Sequence, residues 1–160
     1  MNSEVKIRFA QESDLGTILA FIKELAEYEH LSDQVVADEA TLKEWIFEKK
    51  KAEVLIAEDG GVPVGFALFF HNFSTFLGRA GIYLEDLYVQ PQQRGRGTGK
   101  ALLKRLAQVT VERGCGRLEW SCLDWNKSSV QFYLNLGAVP MEGWTTYRVT
   151  GDLLQKMGRP

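Results

Sequence analysis

The chain has 160 residues, of which 45% are hydrophobic, so it is long enough for one domain with a buried core. Its formal net charge of -2 excludes a general electrostatic attraction to nucleic acid or to an anionic membrane, so any anion site must be local. No apolar run approaches the roughly 20 residues of a membrane span. The first residues lack a signal-peptide pattern, and the two cysteines lack metal-ligand spacing. We predict a single cytoplasmic domain over residues 1–160, with no metal and no nucleic-acid or membrane partner.

The first predicted elements are a strand and an amphipathic helix. Val5 to Arg8 alternates as a short strand, and Ser13 and Asp14 can cap the helix that follows. The apolar stripe of that helix has helical spacing and consists of Leu15, Ile18, Leu19, Ile22, Leu25 and Ala26. The helix runs into Tyr28, Glu29 and His30.

A second helix and a hairpin are predicted next. The helix covers Thr41 to Lys50, with Leu42, Trp45 and Ile46 pointing inward. Two alternating runs, Val54 to Glu58 and Val62 to His71, flank the turn residues Asp59-Gly60-Gly61 and predict a hairpin.

The second half of the chain alternates strands with helices. The predicted elements are a strand from Gly81 to Val89, a helix from Thr98 to Arg113, a strand from Arg117 to Leu123, a helix that Asn126 caps and Gly137 ends, a strand from Trp144 to Thr150, and a short helix near Asp152 to Met157. This order mixes hairpins with crossovers, so it predicts an α/β fold with a mixed sheet flanked by helices.

The segment from Leu84 to Leu103 carries the strongest functional signal. It predicts a strand, a turn of glycines and cations, and the start of a helix. Such a turn exposes backbone N–H groups at the positive end of a helix, which favours phosphate, and glycine lets the backbone approach the ligand. Because Glu85 and Asp86 precede the turn, the segment points to an enzyme that acts on a phosphate-bearing cofactor.

Two common phosphate motifs do not fit this turn. A P-loop requires Gly, four residues and then Gly-Lys-Ser/Thr, but Arg94 occupies the first glycine position and Ala101 replaces the hydroxyl. The dinucleotide fingerprint requires G-x-G-x-x-G within a βαβ unit, whereas Gly95, Gly97 and Gly99 have a different spacing and follow a hairpin.

The remaining pattern, Arg94-x-x-Gly97-x-Gly99 between a strand and a helix, resembles the acyl-CoA motif of the GNAT acetyltransferase superfamily. The next helix carries the matching Asn126, Tyr133 and Gly137. The resemblance implies a GNAT-like central mixed, mostly antiparallel sheet flanked by helices, and acetyl-CoA as cosubstrate.

Further segments resemble the diamine acetyltransferase branch, which includes spermidine/spermine and thialysine acetyltransferases. They are Tyr83-Leu84-Glu85-Asp86, Asp124-Trp125-Asn126 and Glu142-Gly143-Trp144. The resemblance implies a homodimer that acts on a small amine. The segment Val139-Pro140-Met141 looks shortened beside the implied substrate site, which leaves the exact amine open.

Acetyl transfer needs a neutral amine and a proton for the departing thiolate. An alkylammonium has a pKa of about 10.4, so a carboxylate or a water held by one must take its proton. Glu85 is the candidate base, and the resemblance implies that Tyr133 is the acid. Strand alternation would turn Asp86 away from Glu85, so Asp86 is predicted to be structural.

Cys122 is predicted to lie in the core, which favours direct transfer in a ternary complex over an acyl-enzyme.

The predicted binding residues fall into two groups. Those implied for the cofactor are Leu87, Tyr88, Val89, Arg94, Gly95, Arg96, Gly97, Thr98, Gly99, Asn126, Ser129 and Tyr133. Those for the amine, where acidic and aromatic groups suit a cation, are Tyr28, Glu29, Glu85, Glu119, Trp120, Ser121, Glu142 and Trp144.

Three functions remain open at this point. The first is N-acetylation of a polyamine or diamine. The second has the same chemistry on an amino acid such as thialysine or lysine, or on a protein amine. The third is a non-catalytic acyl-CoA sensor, which the joint presence of Glu85 and Tyr133 disfavours.

Overall fold

The computed structural model describes residues 4–160. The chain divides into two compact units, Met1–Ser121 and Cys122–Pro160, and each is described by itself. The organisation as one domain therefore stays a prediction. None of the described helices is long and apolar enough to cross a membrane.

The first unit is built on a five-stranded sheet in the order β1-β2-β3-β4-β5. The strands are β1 (Val5–Phe9), β2 (Glu53–Asp59), β3 (Val62–Ser74), β4 (Arg79–Val89) and β5 (Leu118–Trp120). The first four pair antiparallel, and β5 pairs parallel to β4. The prediction of a mixed, mostly antiparallel sheet is confirmed, although β5 is shorter than the predicted strand.

Helices flank this sheet. They are α1 (Leu15–Tyr28), α2 (Glu39–Leu42), which continues as a π-helix over Lys43–Glu48, and α3 (Thr98–Glu112). α3 connects β4 to β5, because parallel neighbours require a crossover.

The core lies between the sheet and its helices. Ile18 and Phe21 of α1 pack with Val54, Ile56 and Phe66 of the sheet. Strand alternation places the intervening buried residues of β2 on the opposite face, and α3 contributes its own buried stripe of Leu102, Leu103, Leu106 and Val109. A continuous buried run from 54 to 57 is what a strand covered on both faces shows.

Two local predictions in this unit are wrong. Asp14 does not cap α1 through its side chain; its carboxylate accepts from Arg8 at 2.8 and 2.9 Å and from the backbone N–H of Gln11 at 2.7 Å. Trp45 does not point inward but is 46% exposed, with Lys49 Nζ 4.1 Å from its ring centroid. The π-helical hydrogen bond from Lys49 N to Glu44 O widens each turn, so α-helical spacing no longer gives the inward face.

The second unit contains α4 (Lys127–Asn135) and α5 (Gly151–Met157). The predicted strand from Trp144 to Thr150 is wrong: its β-prone residues form no strand among the described residues, because a strand requires a hydrogen-bonded neighbour. Asn126 is the buried residue of this unit, and its large apolar side chains include exposed ones such as Trp144, Tyr147 and Leu153.

Candidate active site

The glycine turn that follows β4 leads directly into α3. A short 3-10 turn, Pro91–Gln93, precedes it. Gly95 and Gly97 have φ values of 77° and 82°, in the left-handed region, and a Cβ at either would meet nothing within 4 Å. Gly97 is the N-cap of α3, so the first N–H groups of the helix have no intrahelical partner. The turn therefore presents backbone donors on an open side, as an anion site requires.

Cationic and polar groups at the turn suit a diphosphate. Arg94, Arg96 and Lys100 are all exposed around it. Thr98 is 1% exposed, and its Oγ1 has no hydrogen-bond partner among the described residues. An unsatisfied buried hydroxyl beside free helix N–H groups is consistent with a ligand that would complete the site.

Arg94 is held on the α1 side of the turn. Its Nε donates to the carbonyl oxygen of Val89 at 3.1 Å. Its guanidinium carbon lies 4.7 Å from the ring centroid of Tyr28. The Tyr28 ring, which is predicted at the amine, thus lies against a cation of the glycine turn, and its contact with an amine stays a prediction.

The flank of β4 beyond Leu84 is open on the β5 side. Pairing with β5 covers 82 to 84, whereas pairing with β3 continues through Val89. The family motif assigns this flank, at Leu87 and Val89, to an extended ligand arm, and in the structure the Val89 carbonyl oxygen accepts from Arg94 Nε. The side chain of Tyr88, in contrast, is buried at 4% exposure, and its hydroxyl donates to Glu24 at 3.4 Å.

A β-bulge separates the two carboxylates of β4. Leu84 pairs with Phe69 and Asp86 with the adjacent Leu68, so Glu85 is an extra residue without a partner. Strict alternation does not hold across a bulge, which re-aims side chains. Alternation alone therefore does not give the direction of Asp86 relative to Glu85, and no sequence signal marked the bulge; the structural role of Asp86 stays a prediction.

Asp86 belongs to a carboxylate cluster with Glu85 and Glu29. Burial, followed by the charges of Glu85 and Glu29, raises the pKa of Asp86 to about 6. Burial also raises the pKa of Glu29, which ends α1. Such a cluster favours a cation beside it, because the cation would stabilise the ionised carboxylates. Glu85, the predicted base, is exposed.

Residues predicted around β5 have other partners. Glu119 forms an ion pair with Arg117 at 2.9 Å and accepts from Asn72 Nδ2 at 3.2 Å. Ser121 Oγ lies 2.6 Å from the hydroxyl of Tyr83, and Trp120 pairs with Leu84 in the sheet. These contacts give Glu119 and Ser121 structural roles, and their contact with an amine stays a prediction.

The remaining predicted residues lie in the second unit. Asn126 caps α4 by accepting from the backbone N–H of Ser129 at 3.4 Å, as predicted. Tyr133 is half-buried, with its ring 5.5 Å from that of Phe132, whereas Glu142 and Trp144 are exposed. Within residues 4–160, no group of His, Cys, Asp and Glu side chains is arranged to hold a metal ion.

Comparisons with known proteins identify the family and the fold. A sequence-family model described as "Acetyltransferase (GNAT) family" matches residues 18–138. A thialysine N-epsilon-acetyltransferase from Sus scrofa is 40% identical, over 97% of this chain and 98% of its own. A human spermidine/spermine N(1)-acetyltransferase-like protein is 32% identical over 95% of this chain but 23% of its own length.

A solved structure extends the likeness to three dimensions. An integron cassette protein from the mobile metagenome of V. cholerae superposes with a TM-score of 0.81. It is 28% identical, and the match covers 98% of both chains. The likeness spans the whole chain and not the glycine turn alone.

Proposed function

The chain belongs to the GNAT acetyltransferase family, and we propose that it transfers an acetyl group from acetyl-CoA to the terminal amine of a small aliphatic substrate. N-acetyltransferase activity follows from the family and from full-length relatives, which sets aside the non-catalytic sensor. The observation that carries the choice of a cationic amine is the carboxylate cluster of Glu29, Glu85 and Asp86, of which the last two lie on the strand that precedes the glycine turn.

The proposed cofactor site combines the turn with the open flank of β4. The free N–H groups of α3, with Arg94, Arg96 and Lys100, would hold the diphosphate of acetyl-CoA. The backbone of Leu87 and Val89 would hold the extended arm. Acetyl-CoA supplies the acetyl group as a thioester. Asn126 and Ser129 are assigned to the cofactor by the family motif.

The proposed mechanism is direct transfer in a ternary complex. Glu85 takes the proton of the ammonium, directly or through an ordered water, and the neutral nitrogen then attacks the thioester carbonyl carbon. As the C–S bond breaks, the Tyr133 hydroxyl gives its proton to the departing sulfur, and the tyrosinate takes the second proton from the attacking nitrogen, so that the amide and the CoA thiol form. Asp86 and Glu29 hold the substrate cation during these steps. Glu142 and Trp144 are assigned to the amine by resemblance.

The first candidate acceptor is the side-chain amine of a lysine-like amino acid. The full-length relative that acts on thialysine, at 40% identity, supports this choice. A polyamine is the second candidate, because three neighbouring carboxylates suit a multiply charged amine without a carboxylate of its own.

The experiment that tests this function is an acetyl-CoA consumption assay on matched acceptors. Lysine and cadaverine differ only by the α-carboxylate, and thialysine, ornithine and spermidine extend the series. Faster turnover of lysine and thialysine than of cadaverine supports the amino-acid acceptor, and the reverse order supports the polyamine. No turnover of any of them contradicts the proposed function.

We also propose that the enzyme is a homodimer. The family resemblance and the exposed apolar side chains of the second unit, among them Trp144, Tyr147 and Leu153, support it. Light scattering that gives the mass of one chain at micromolar concentration would contradict this assignment. The cytoplasmic location stays a prediction.

A further inference from the structure

We infer that Tyr28 is a positioning residue for the acyl-CoA turn, because its ring holds the Arg94 guanidinium where the diphosphate binds. This inference rests on the cofactor site proposed above. It gives Tyr28 a role at the glycine turn that acts through Arg94.

Three contacts hold the guanidinium. Nε donates to the Val89 carbonyl at 3.1 Å, and the guanidinium carbon lies 4.7 Å from the Tyr28 ring centroid and 5.9 Å from that of Tyr88. The two terminal nitrogens have no hydrogen-bond partner among the described residues, so they remain for an anion. A guanidinium that is fixed before binding loses less entropy when it forms a bidentate contact with a phosphate.

The helix that carries Tyr28 is anchored to the core. Tyr28 is the last residue of α1, and Glu24, one turn earlier on the same face, accepts from the Tyr88 hydroxyl at 3.4 Å. Phe21, a further turn back, lies 5.8 Å from the Tyr88 ring and is 3% exposed. One face of α1 therefore contacts both ends of the segment from Tyr88 to Arg94: Phe21 and Glu24 contact Tyr88, and Tyr28 contacts Arg94.

The same stacking occupies one face of the Tyr28 ring. A ring attracts a cation through its face. One face of this ring already carries the Arg94 guanidinium. An ammonium at that face would replace a cation that is held by a second contact.

The test is the Kd of CoA, measured by calorimetry on the full chain with wild type, Tyr28→Leu, Tyr28→Phe, Arg94→Ala and the Tyr28→Leu/Arg94→Ala double variant. Leucine removes the aromatic face and keeps an apolar side chain, so we expect the Kd to rise by about two- to fivefold. Phenylalanine retains the face and should keep the wild-type Kd. In the Arg94→Ala background, Tyr28→Leu should cause no further loss, because the partner cation is absent.

Each alternative outcome has a distinct meaning. An equal loss from Tyr28→Leu with and without Arg94 would overturn the inference in favour of a general structural role. So would an unchanged Kd of CoA together with a raised KM for the amine, which would place Tyr28 at the acceptor. If Arg94→Ala itself leaves the Kd of CoA unchanged, the proposed cofactor site fails, and that failure is separate from the role of Tyr28.

Discussion

Asp86 of β4 and Glu29 at the end of α1 lie close enough for the charge of Glu29 to raise the pKa of Asp86. The two carboxylates are 57 positions apart in the sequence (86 minus 29) and belong to different elements. Burial is the larger cause of the shift, and Glu85 adds to it. A folded chain keeps such a cluster at a cost in stability, which is common where a cation must be bound.

The first prediction concerns the pH dependence of amine binding. The ionised form of Asp86 attracts an ammonium and the protonated form does not, so kcat/KM for the amine should rise as pH increases through about 6, the pKa of this group. Asp86→Asn should lower kcat/KM and remove that acidic limb. Glu112→Gln, at an exposed carboxylate of α3, is the control. An unchanged limb in Asp86→Asn would assign it to another group.

The second prediction concerns stability. Because the folded state raises the pKa of Asp86 from 3.8 to about 6, the ionised carboxylate is disfavoured by folding, and its contribution to stability decreases as pH rises across that interval. Asp86→Asn should therefore be more stable than wild type at pH 8, by on the order of 2 kcal/mol. The difference should shrink toward pH 4. Urea unfolding at both pH values measures it, and a difference that does not vary with pH would contradict the argument.

Much of the fold could be predicted because its signals are local. Strand alternation predicted β1 to β3, helical spacing predicted α1 and α3, and the positive φ of Gly97 agrees with its place in the cofactor motif. The lack of a strand from Trp144 to Thr150 in the described part of the chain could not be predicted from those residues, because β-prone residues form a strand only when a neighbour pairs with them.

Within the candidate site, the glycine turn could be predicted from the sequence, whereas the arrangement of the carboxylates could not. Arg94 and the glycines are adjacent in sequence, so their spacing alone identifies them. The place of Asp86 depends on a bulge opposite Leu68 and Phe69, and the place of Tyr28 depends on the packing of α1 against β4. Both are tertiary relationships, and periodicity does not encode them.

The third prediction separates backbone conformation from cofactor binding at the glycine turn. Gly97→Ala places a Cβ at a φ of 82°, which should cost about 1–2 kcal/mol of stability and tilt the first N–H groups of α3 away from the diphosphate. The KM for acetyl-CoA should rise severalfold.

Two matched variants serve as controls for that substitution. Gly60→Ala, at a φ of 60° in the β2–β3 turn, should lower the melting temperature by a similar amount and leave the KM unchanged. At Gly99 a Cβ would meet Val89 Cγ2 at an ordinary 3.8 Å, so Gly99→Ala should fold as stably as wild type. Equal KM values in Gly97→Ala and Gly60→Ala would contradict the role of the turn.

The fourth prediction concerns an ion-pair network at the start of the fold. Arg8 of β1 bonds both oxygens of Asp14 and, at 2.7 Å, Glu58 of β2. Arg8→Met leaves Asp14, which is 8% exposed, without its cation, so the free energy of unfolding at pH 7 should fall by roughly 1–3 kcal/mol. Lys43→Met removes an exposed ion pair, in which Lys43 Nζ lies 3.9 Å from Glu12 Oε2, and should change the free energy of unfolding little.

The loss of stability in Arg8→Met should depend on pH, because it arises from the Asp14 carboxylate. The hydrogen bonds from Arg8 lower the pKa of the Asp14 carboxyl. The ion pair therefore stabilises the fold at pH values above the usual pKa of an aspartate, and this stabilisation is lost as pH falls through the lowered pKa of Asp14. Urea unfolding of Arg8→Met and wild type should converge at acidic pH. Curves that stay equally separated from pH 7 to pH 3 would show that packing, and not charge, explains the loss.

The fifth prediction concerns the proposed acid, Tyr133. Tyr133→Phe removes the hydroxyl and keeps the ring that lies 5.5 Å from Phe132, so the packing of α4 should be retained. Without a proton donor for the departing thiolate, kcat should fall by about 10²-fold or more, since general acid catalysis contributes on that order. The Kd of CoA should change far less, which calorimetry measures beside the kinetics. Equal effects on kcat and on the Kd of CoA would instead make Tyr133 a binding residue and leave the proton to another group.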